Sequence, residues 1–542
     1  MSAKSISRRK FLKQTALTTL GSTLLTSSIL KAGNAGRLPN ILFFITDDMY
    51  PDMMNFLPEG RGKNLTPNLD RLAREGTILM NQYVSSPVCT PSRFTCLTGK
   101  YASRATNEEF LNFTKKNDGQ TVIQWNTFIV PGQKILPDYL KEAGYVTGMV
   151  GKNHAIEVKG LKPFDDYFAD PTDPKVARQI EENYKKVQDA VLASGFDYAD
   201  GLYNNNPDFL GLWKLAVHNM DWITDCGLKF IEKNKNRPFF LYFATTVPHD
   251  PSGPERSWKA DKRITAKGVL PEAPHVLPPP ETYAERFKKA GIKDGHNKEN
   301  VLWLDDSLGA LIKKLEDLNL LDNTIIFFFN DHGQKAKGTL YQGGVHDPSV
   351  VWKKGGFPVG HVSKTMVSNV DFVPTILDFT GTGVKAKGVD GKSFKPVLDG
   401  KVKKLHDALY FELGYARAVI KGRYKYLAVR YPEYLRDMSI EERKKRLDAY
   451  NKHRLHKKMR IVTTDPTKPY SHLMALPGGG DAERESTGKK PGYYDPDQLY
   501  DLQKDPNEMH NLAGKKEYQA VLQDMKQTLR KFLNQLPGKF DL

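Results

Sequence analysis

Four short apolar runs in this 542-residue chain each lead into side chains able to do metal, anion or acid–base chemistry. Asn40 to Thr46 runs into Asp47-Asp48, and Tyr145 to Val150 into Lys152-Asn153-His154. Phe239 to Thr245 is followed by Pro248-His249, and Thr324 to Phe329 by Asp331-His332. Adjacent carboxylates repel each other. A second acidic turn brought beside them calls for a cation, and donors that are mostly oxygen suit a hard one such as Ca²⁺. Taken alone, an Asp-Asp pair is most often solvated surface, and a lone loop histidine or lysine is usually structural. A fifth segment has another character: Cys89-Thr90-Pro91-Ser92-Arg93, then Leu97-Thr98-Gly99-Lys100, sets a potential nucleophile four residues from a fixed cation. An isolated buried cysteine is usually inert packing, which is how Cys96 and Cys226 read.

The elements that must position these residues form an α/β pattern. From about residue 38 to 400 the apolar runs alternate with helical periodicity, as in Leu304, Leu308, Leu311, Leu315 and Leu318, which predicts a mainly parallel sheet flanked by helices. Ligands of open α/β sheets bind beyond the carboxyl ends of the strands, so four reactive turns at four strand ends point to one site. After about residue 405 the texture changes. Tyr410 to Leu413 and Ala416 to Val429 read as antiparallel strands and Glu517 to Leu536 as a closing helix, a smaller α+β C-terminal subdomain. The expected units are a leader over 1–35, a catalytic domain over 36–405 and this subdomain over 406–542. Residues 441 to 460 carry nine lysines and arginines against three acids. That run reads first as a solvated helix face, with contact to an anionic substrate or to nucleic acid as the alternatives. The stretch from 464 to 492 reads as a long Pro/Gly-rich loop.

Composition bounds the class. With 39% hydrophobic and 26% charged residues, the chain has core-forming material and is not disordered, collagen-like or polytopic. The net charge is +17, and the first 37 residues hold seven basic side chains and no acid. Ser7-Arg8-Arg9-Lys10-Phe11-Leu12-Lys13, followed by a diluted apolar stretch from Ala16 to Leu30, has the shape of a twin-arginine export signal. That stretch is shorter than the ~20 residues of a spanning helix. Cleavage near Ala35, no stable membrane anchor and a periplasmic or secreted protein are therefore expected, with a nucleic-acid-binding basic arm as the weaker alternative. Three cysteines imply no disulfide framework, which agrees with folding in a reducing compartment before export.

Cys89-Thr-Pro-Ser-Arg93 with Leu97-Thr-Gly99 resembles the signature of the type I sulfatases of the alkaline phosphatase superfamily. The resemblance continues through Asn40-Ile-Leu to Asp48, Thr66-Pro-Asn-Leu-Asp-Arg-Leu-Ala73, Gly151-Lys152-Asn153-His154 and Pro248-His-Asp-Pro251. It also takes in Asn330-Asp-His-Gly333, Lys337-Gly-Thr-Leu-Tyr-Gln-Gly-Gly344, Asp371-Phe-Val-Pro-Thr375 and Leu499-Tyr-Asp-Leu502. It implies an alkaline-phosphatase-like fold and an exported sulfatase acting on sulfated carbohydrate, with Cys89 oxidised to formylglycine by a formylglycine-generating enzyme before export. It also implies one Ca²⁺ held by Asp47, Asp48, Asp331 and His332, the last often asparagine in the family. In the implied mechanism one hydroxyl of the hydrated aldehyde, supported by Arg93, attacks sulfur, and the other expels sulfate with help from His154. Lys152 and Lys337 bind sulfate oxygens, and His249 with Lys337 protonates the leaving alcohol. Gln342 stands where the family has glutamate, and His346 where arginine is common, which makes His346 a substrate-contact candidate. Two other readings stand beside this one. They are a phosphate or phosphonate monoester hydrolase on the same scaffold, and a sulfated-glycan-binding protein in which Cys89 stays a thiol.

Overall fold

In the computed structural model, residues 37–293, 295–456, 461, 463–468 and 490–542 are described. The leader and most of the long Pro/Gly-rich loop lie outside the described residues. Among the described residues, no helix is long and apolar enough to cross a membrane.

The central sheet has eight strands. In chain order they are β1 (Asn40–Asp47), β2 (Thr77–Leu79), β3 (Val146–Lys152), β4 (Tyr198–Tyr203), β5 (Phe239–Pro248), β6 (Thr324–Asn330), β7 (Ser349–Trp352) and β8 (His361–Ser363). Their spatial order is β8-β2-β7-β6-β1-β5-β3-β4. β6, β1, β5, β3 and β4 run parallel, and β7 is antiparallel to both of its neighbours. The four apolar runs are four of the five parallel strands. They read as unbroken apolar sequence because strands covered on both faces have no solvent side to alternate with.

β1 shows how both faces are filled. Phe43 stacks on Tyr242 at 5.6 Å and meets Phe372 edge-on at 5.0 Å, while Phe44, on the opposite face, stacks between Phe243 and Phe328. Three helices cover the Phe44 face: α1 (Pro67–Glu75), α4 (Met220–Lys233) and α5 (Lys298–Asp317). Between them in sequence lie α2 (Cys89–Thr98) and α3 (Pro174–Ala193), and after them α6 (Phe372–Thr380), whose Phe372 places it with α2 on the Phe43 face. The leucine stripe expected to run through Leu318 occupies α5, with Leu318 itself the capping residue.

The C-terminal part is a four-stranded antiparallel sheet of β9 (Leu409–Leu413), β10 (Ala416–Lys421), β11 (Tyr424–Val429) and β12 (Asp497–Asp501). The run from Ala416 to Val429 is two strands, because Gly422 turns the chain with φ 59°. The described part of the basic run, 441 to 456, lies on α7 (Ile440–His456), and its last four residues fall outside the described residues. The closing helix, read from the sequence as Glu517 to Leu536, is α8 (Gln519–Leu533), preceded by a single 3₁₀ turn. Leu522, Met525 and Leu529 of α8 pack on Tyr410, Val419, Tyr426 and Leu499 of the small sheet. Glu412 on β9 ties the two parts together: its N–H donates to the Ser85 carbonyl and its carboxylate accepts the Ser103 N–H at 2.8 Å.

Candidate active site

Register delivers the first acids. β1 lies between β5 and β6, pairing Thr46 with Asn330 and Asp47 with Pro248, so three reactive turns leave the same edge of the sheet. Asn330 clamps two of them: its Oδ1 accepts from the Thr46 hydroxyl at 3.1 Å and the Met49 N–H at 3.0 Å, and its amide donates to Asp347 at 3.2 Å. Asp48 adopts a left-handed backbone with φ 64°, an uncommon state for a non-glycine residue.

β3 adds Lys152 and His154. Gly151 sits there with φ 91° so close to β5 that a Cβ would lie 1.7 Å from the Ala244 carbonyl oxygen. Only glycine lets β3 pass at that distance, and the next residue, fully buried Lys152, reaches Asp47 Oδ2 at 2.5 Å.

Cys89 is the first residue of α2. Pro91 is tolerated in the first helical turn, and Gly99, left-handed with φ 67°, stops the helix, so the motif residues punctuate the element that carries the cysteine. One helical turn on, buried Arg93 points at the same acids, with Nη2 3.1 Å from Asp331 Oδ2 and 3.8 Å from Asp47 Oδ1. The Cys89 Sγ lies 3.6 Å from both Asp47 Oδ1 and His332 Nε2. One ligand atom from each of Asp47, Cys89, Asp331 and His332 falls within 4.8 Å of the other three. Asp48 belongs to an overlapping group with Cys89 and His249, and its Oδ1 is 3.2 Å from His332 Nε2.

The cluster holds three carboxylates against two lysines and one arginine. Lys337 grips both oxygens of Asp48 at 2.7 Å, Lys152 holds Asp47, and Arg93 holds Asp331. Burial alone would raise the acids, but Lys152, His249 and Arg93 keep Asp47 well below the ordinary carboxylate range, and Lys337 with the two histidines keeps Asp48 at about 2. Burial pushes the Cys89 thiol far up, despite Lys152 and Lys337. Burial, reinforced by Lys152, lowers His154 and leaves it neutral with Nε2 3.0 Å from the Thr90 hydroxyl and Nδ1 without a partner. His249 stands at the rim, 18% exposed, with Nε2 3.4 Å from Asp48 Oδ2 and Nδ1 2.7 Å from the Asp250 carbonyl.

All ten residues read from the sequence as catalytic or metal-binding thus meet in one cluster. His346 lies elsewhere: its Nε2 bonds to the Met80 carbonyl at 2.8 Å, its ring packs on Tyr83, and it lines a broad neighbouring cleft. Sequence reasoning missed Asn206, whose amide is 2.8 Å from His249 Nε2, and Thr90. It also missed His218, buried with Nδ1 2.8 Å from the Thr246 hydroxyl and Nε2 unpartnered, and pushed down to about 3 by burial and by His249. Asn206 follows β4, whose sequence Tyr-Ala-Asp-Gly-Leu-Tyr is broken by Asp200 and Gly201 and does not read as a buried strand. The Asn204-Asn205-Asn206 triplet was the available signal.

The chain is similar to known proteins over most of its length. A sequence model of the family "Sulfatase" matches residues 39–382, and one for "N-sulphoglucosamine sulphohydrolase, C-terminal" matches 330–464. The N-acetylgalactosamine-6-sulfatase of Canis lupus familiaris is 26% identical over 428 residues, covering 74% of each chain. The N-acetylglucosamine-6-O-sulfatase of Bacteroides thetaiotaomicron is 25% identical, covering 98% of this chain and 92% of that one. A solved sulfatase structure from the glycosaminoglycan metabolism of Bacteroides thetaiotaomicron superposes with a TM-score of 0.58 at 20% identity, over 92% of this chain and 99% of that one.

Proposed function

The chain belongs to the sulfatase family, type I within the alkaline phosphatase superfamily, and from that membership we propose an exported hydrolase that frees sulfate from ester groups on a sulfated carbohydrate. In this reading Cys89 is converted to formylglycine, one calcium ion completes the site, and the leader is read by the twin-arginine pathway. The observation that carries the proposal is the meeting of Cys89 with Arg93, Lys152 and Lys337 around three carboxylates.

The donor set fits a single cation. Oxygen ligands at 2.3–2.6 Å on opposite sides of Ca²⁺ stand about 4.6–5.2 Å apart, and the donors of Asp47, Asp331 and His332 already lie within 4.8 Å of one another. Those three, with Asp48, would hold the ion. When present, the ion supplies positive charge beside the sulfate, and formylglycine hydrate supplies two hydroxyls on the carbon that now bears a thiol. The thiol itself is poorly suited to attack. A cysteine attacks as thiolate, and burial keeps Cys89 protonated, which supports a role through modification.

The chain's own groups supply the remainder. Lys152 and Lys337 are held in the buried cluster by Asp47 and Asp48, and from there they can meet sulfate oxygens as charge builds in the transition state. Arg93, locked by Asp331, holds its guanidinium charge in the buried cluster beside residue 89. His249 carries a hydrogen on Nδ1, held by the Asp250 carbonyl. Nε2 faces the Asn206 amide nitrogen at 2.8 Å and accepts from it; with the unpartnered Asn206 Oδ1 turned to it instead, a protonated Nε2 can pass its proton to the leaving alcohol oxygen as that oxygen keeps the electron pair of the broken S–O bond. Neutral His154 has a free lone pair with which to accept a proton next to residue 89.

The test is to express the protein with a formylglycine-generating enzyme and compare phenyl sulfate with phenyl phosphate. Sulfate release dominating, together with loss of sulfur and gain of oxygen in the tryptic peptide containing residue 89, is the expected result. Faster phosphate release would move the chain to the phosphomonoester reading. An unmodified thiol with no turnover would make it a glycan-binding protein.

A further inference from the structure

A cleft of about 1520 Å³ opens beside the catalytic cluster. It starts at Pro51 and Lys335, three residues from Asp48 and two from Lys337, and follows the junction between the main domain and the small sheet to Phe532 on α8. Tyr101, in its wall, lies just past the end of ten-residue α2, so on the order of 15 Å of helix axis separates that region from Cys89. The volume exceeds the ~300–1,000 Å³ usual for a small-molecule site.

Charge distinguishes this cleft from an ordinary domain seam. Its walls carry eight lysine and arginine side chains against three carboxylates. Lys421 and Arg423 pair with Asp524 and Asp501. Among the described residues, Lys364, Lys392, Lys403 and Lys531 make no ion pair within 4.0 Å, Lys392 acting on Asp407 only at longer range, and all four are exposed. Unpaired like charges around one concavity repel one another and focus a positive field, and an anionic chain laid along them relieves that repulsion.

We propose that this cleft is a second binding surface that takes successive residues of a polyanionic, sulfated glycan while one of its sulfate esters reaches Cys89. The inference rests on the carbohydrate-sulfatase reading for its natural ligand, and on the cleft's own charge for binding. Nucleic acid fits less well: single-strand binding draws on exposed aromatic platforms, and the cleft tyrosines Tyr83 and Tyr101 are only 5% and 6% exposed. His346, fixed in this wall by Met80, would then meet the polymer and not the reacting sulfate.

The experiment measures binding of size-graded heparin oligosaccharides to the Cys89→Ala protein at low and at physiological ionic strength. Affinity should rise at least about tenfold from disaccharide to decasaccharide and fall steeply with salt, since exposed charges are screened beyond about 8 Å at physiological strength. Lys364→Glu, Lys392→Glu, Lys403→Glu and Lys531→Glu combined should abolish the length-dependent gain. In the otherwise wild-type enzyme they should leave p-nitrophenyl sulfate turnover nearly unchanged, which also checks folding; if it is lost, the glutamine forms replace them. Equal affinity for short and long oligosaccharides, or an unaltered decasaccharide affinity in the four-site variant, overturns the proposal. Tighter binding of single-stranded DNA than of decasaccharide at matched charge overturns it too. Length-dependent binding in a protein that hydrolyses no sulfate ester would sink the catalytic reading and leave the cleft standing.

Discussion

Asp331→Asn probes the charge balance of the site with the least change of shape. Arg93 is wholly buried and gives Asp331 Oδ2 two hydrogen bonds, from Nε at 3.2 Å and from Nη2 at 3.1 Å, while Asp47 stands farther off at 3.8 Å. The other oxygen, Oδ1, accepts the Asp48 N–H at 3.4 Å. Asparagine offers one acceptor oxygen and one NH₂ donor. Facing the oxygen toward Arg93 sets the NH₂ against the Asp48 N–H, and the reverse sets it against the guanidinium. Breaking a buried ion pair by removing one partner costs about 3–5 kcal/mol. Asp47 still faces Arg93, so the lower end, about 3 kcal/mol, is expected. Activity should suffer more, because the variant weakens the hold on Arg93 and removes an anionic donor from the cation cluster. We expect kcat/KM for an aryl sulfate to fall by more than about 10³-fold, roughly 4 kcal/mol of transition-state stabilisation, with reduced bound metal. His332→Asn should be milder, since asparagine supplies a neutral oxygen at that place. The assay is sulfate-release kinetics, elemental analysis and thermal melting of both variants. Full metal content and activity in Asp331→Asn, or a worse defect in His332→Asn, would refute this account of the site.

Cys89→Ala should abolish turnover with little loss of stability, and Cys89→Ser should do nearly as badly if the aldehyde hydrate is needed, because an unoxidised serine offers one hydroxyl where the hydrate has two; wild-type-like steady-state rates in either variant would count against the mechanism. Gly151→Ala forces a Cβ onto the Ala244 carbonyl oxygen at a positive φ, so an overpacking cost of at least 1–3 kcal/mol and displacement of Lys152 are expected, read as lower solubility or melting temperature together with lost activity. Burial and the neighbouring His249 push His218 down to about 3 from the ordinary 6.5, so the fold holds the neutral ring. The associated stability is complete above about pH 6.5 and is lost as pH falls toward 3, at most about 5 kcal/mol; in His218→Gln the stability–pH curve should be flatter across that window, and an unchanged acid limb would contradict the assignment. Arg8→Lys with Arg9→Lys should hold the protein in the cytoplasm, because the export pathway reads the paired arginines and not charge alone; fractionation showing undiminished export would point to another route.

Much of this molecule is written locally in its sequence. Parallel strands buried on both faces become unbroken apolar runs, which is why β1, β3, β5 and β6 could be read directly, each with its reactive turn attached. Cys89 and Arg93 share one helical face because they are one turn apart, and Pro91 and Gly99 mark where that helix begins and ends. Where the local signal is broken the reading fails: Asp200 and Gly201 hide β4, and with it Asn206. Convergence is another matter, because it depends on strand register and on contacts between residues hundreds of positions apart. The placement of β1 between β5 and β6, the passage of Gly151 against Ala244, and the reach of Lys337 back to Asp48 turn scattered residues into one balanced cluster. The same holds for the cleft. Lys364, Lys392, Lys403 and Lys531 are unremarkable in a basic sequence, and only the docking of the small sheet and α8 against the main domain gathers them on one concave wall, since charge adds up through space and not along the chain.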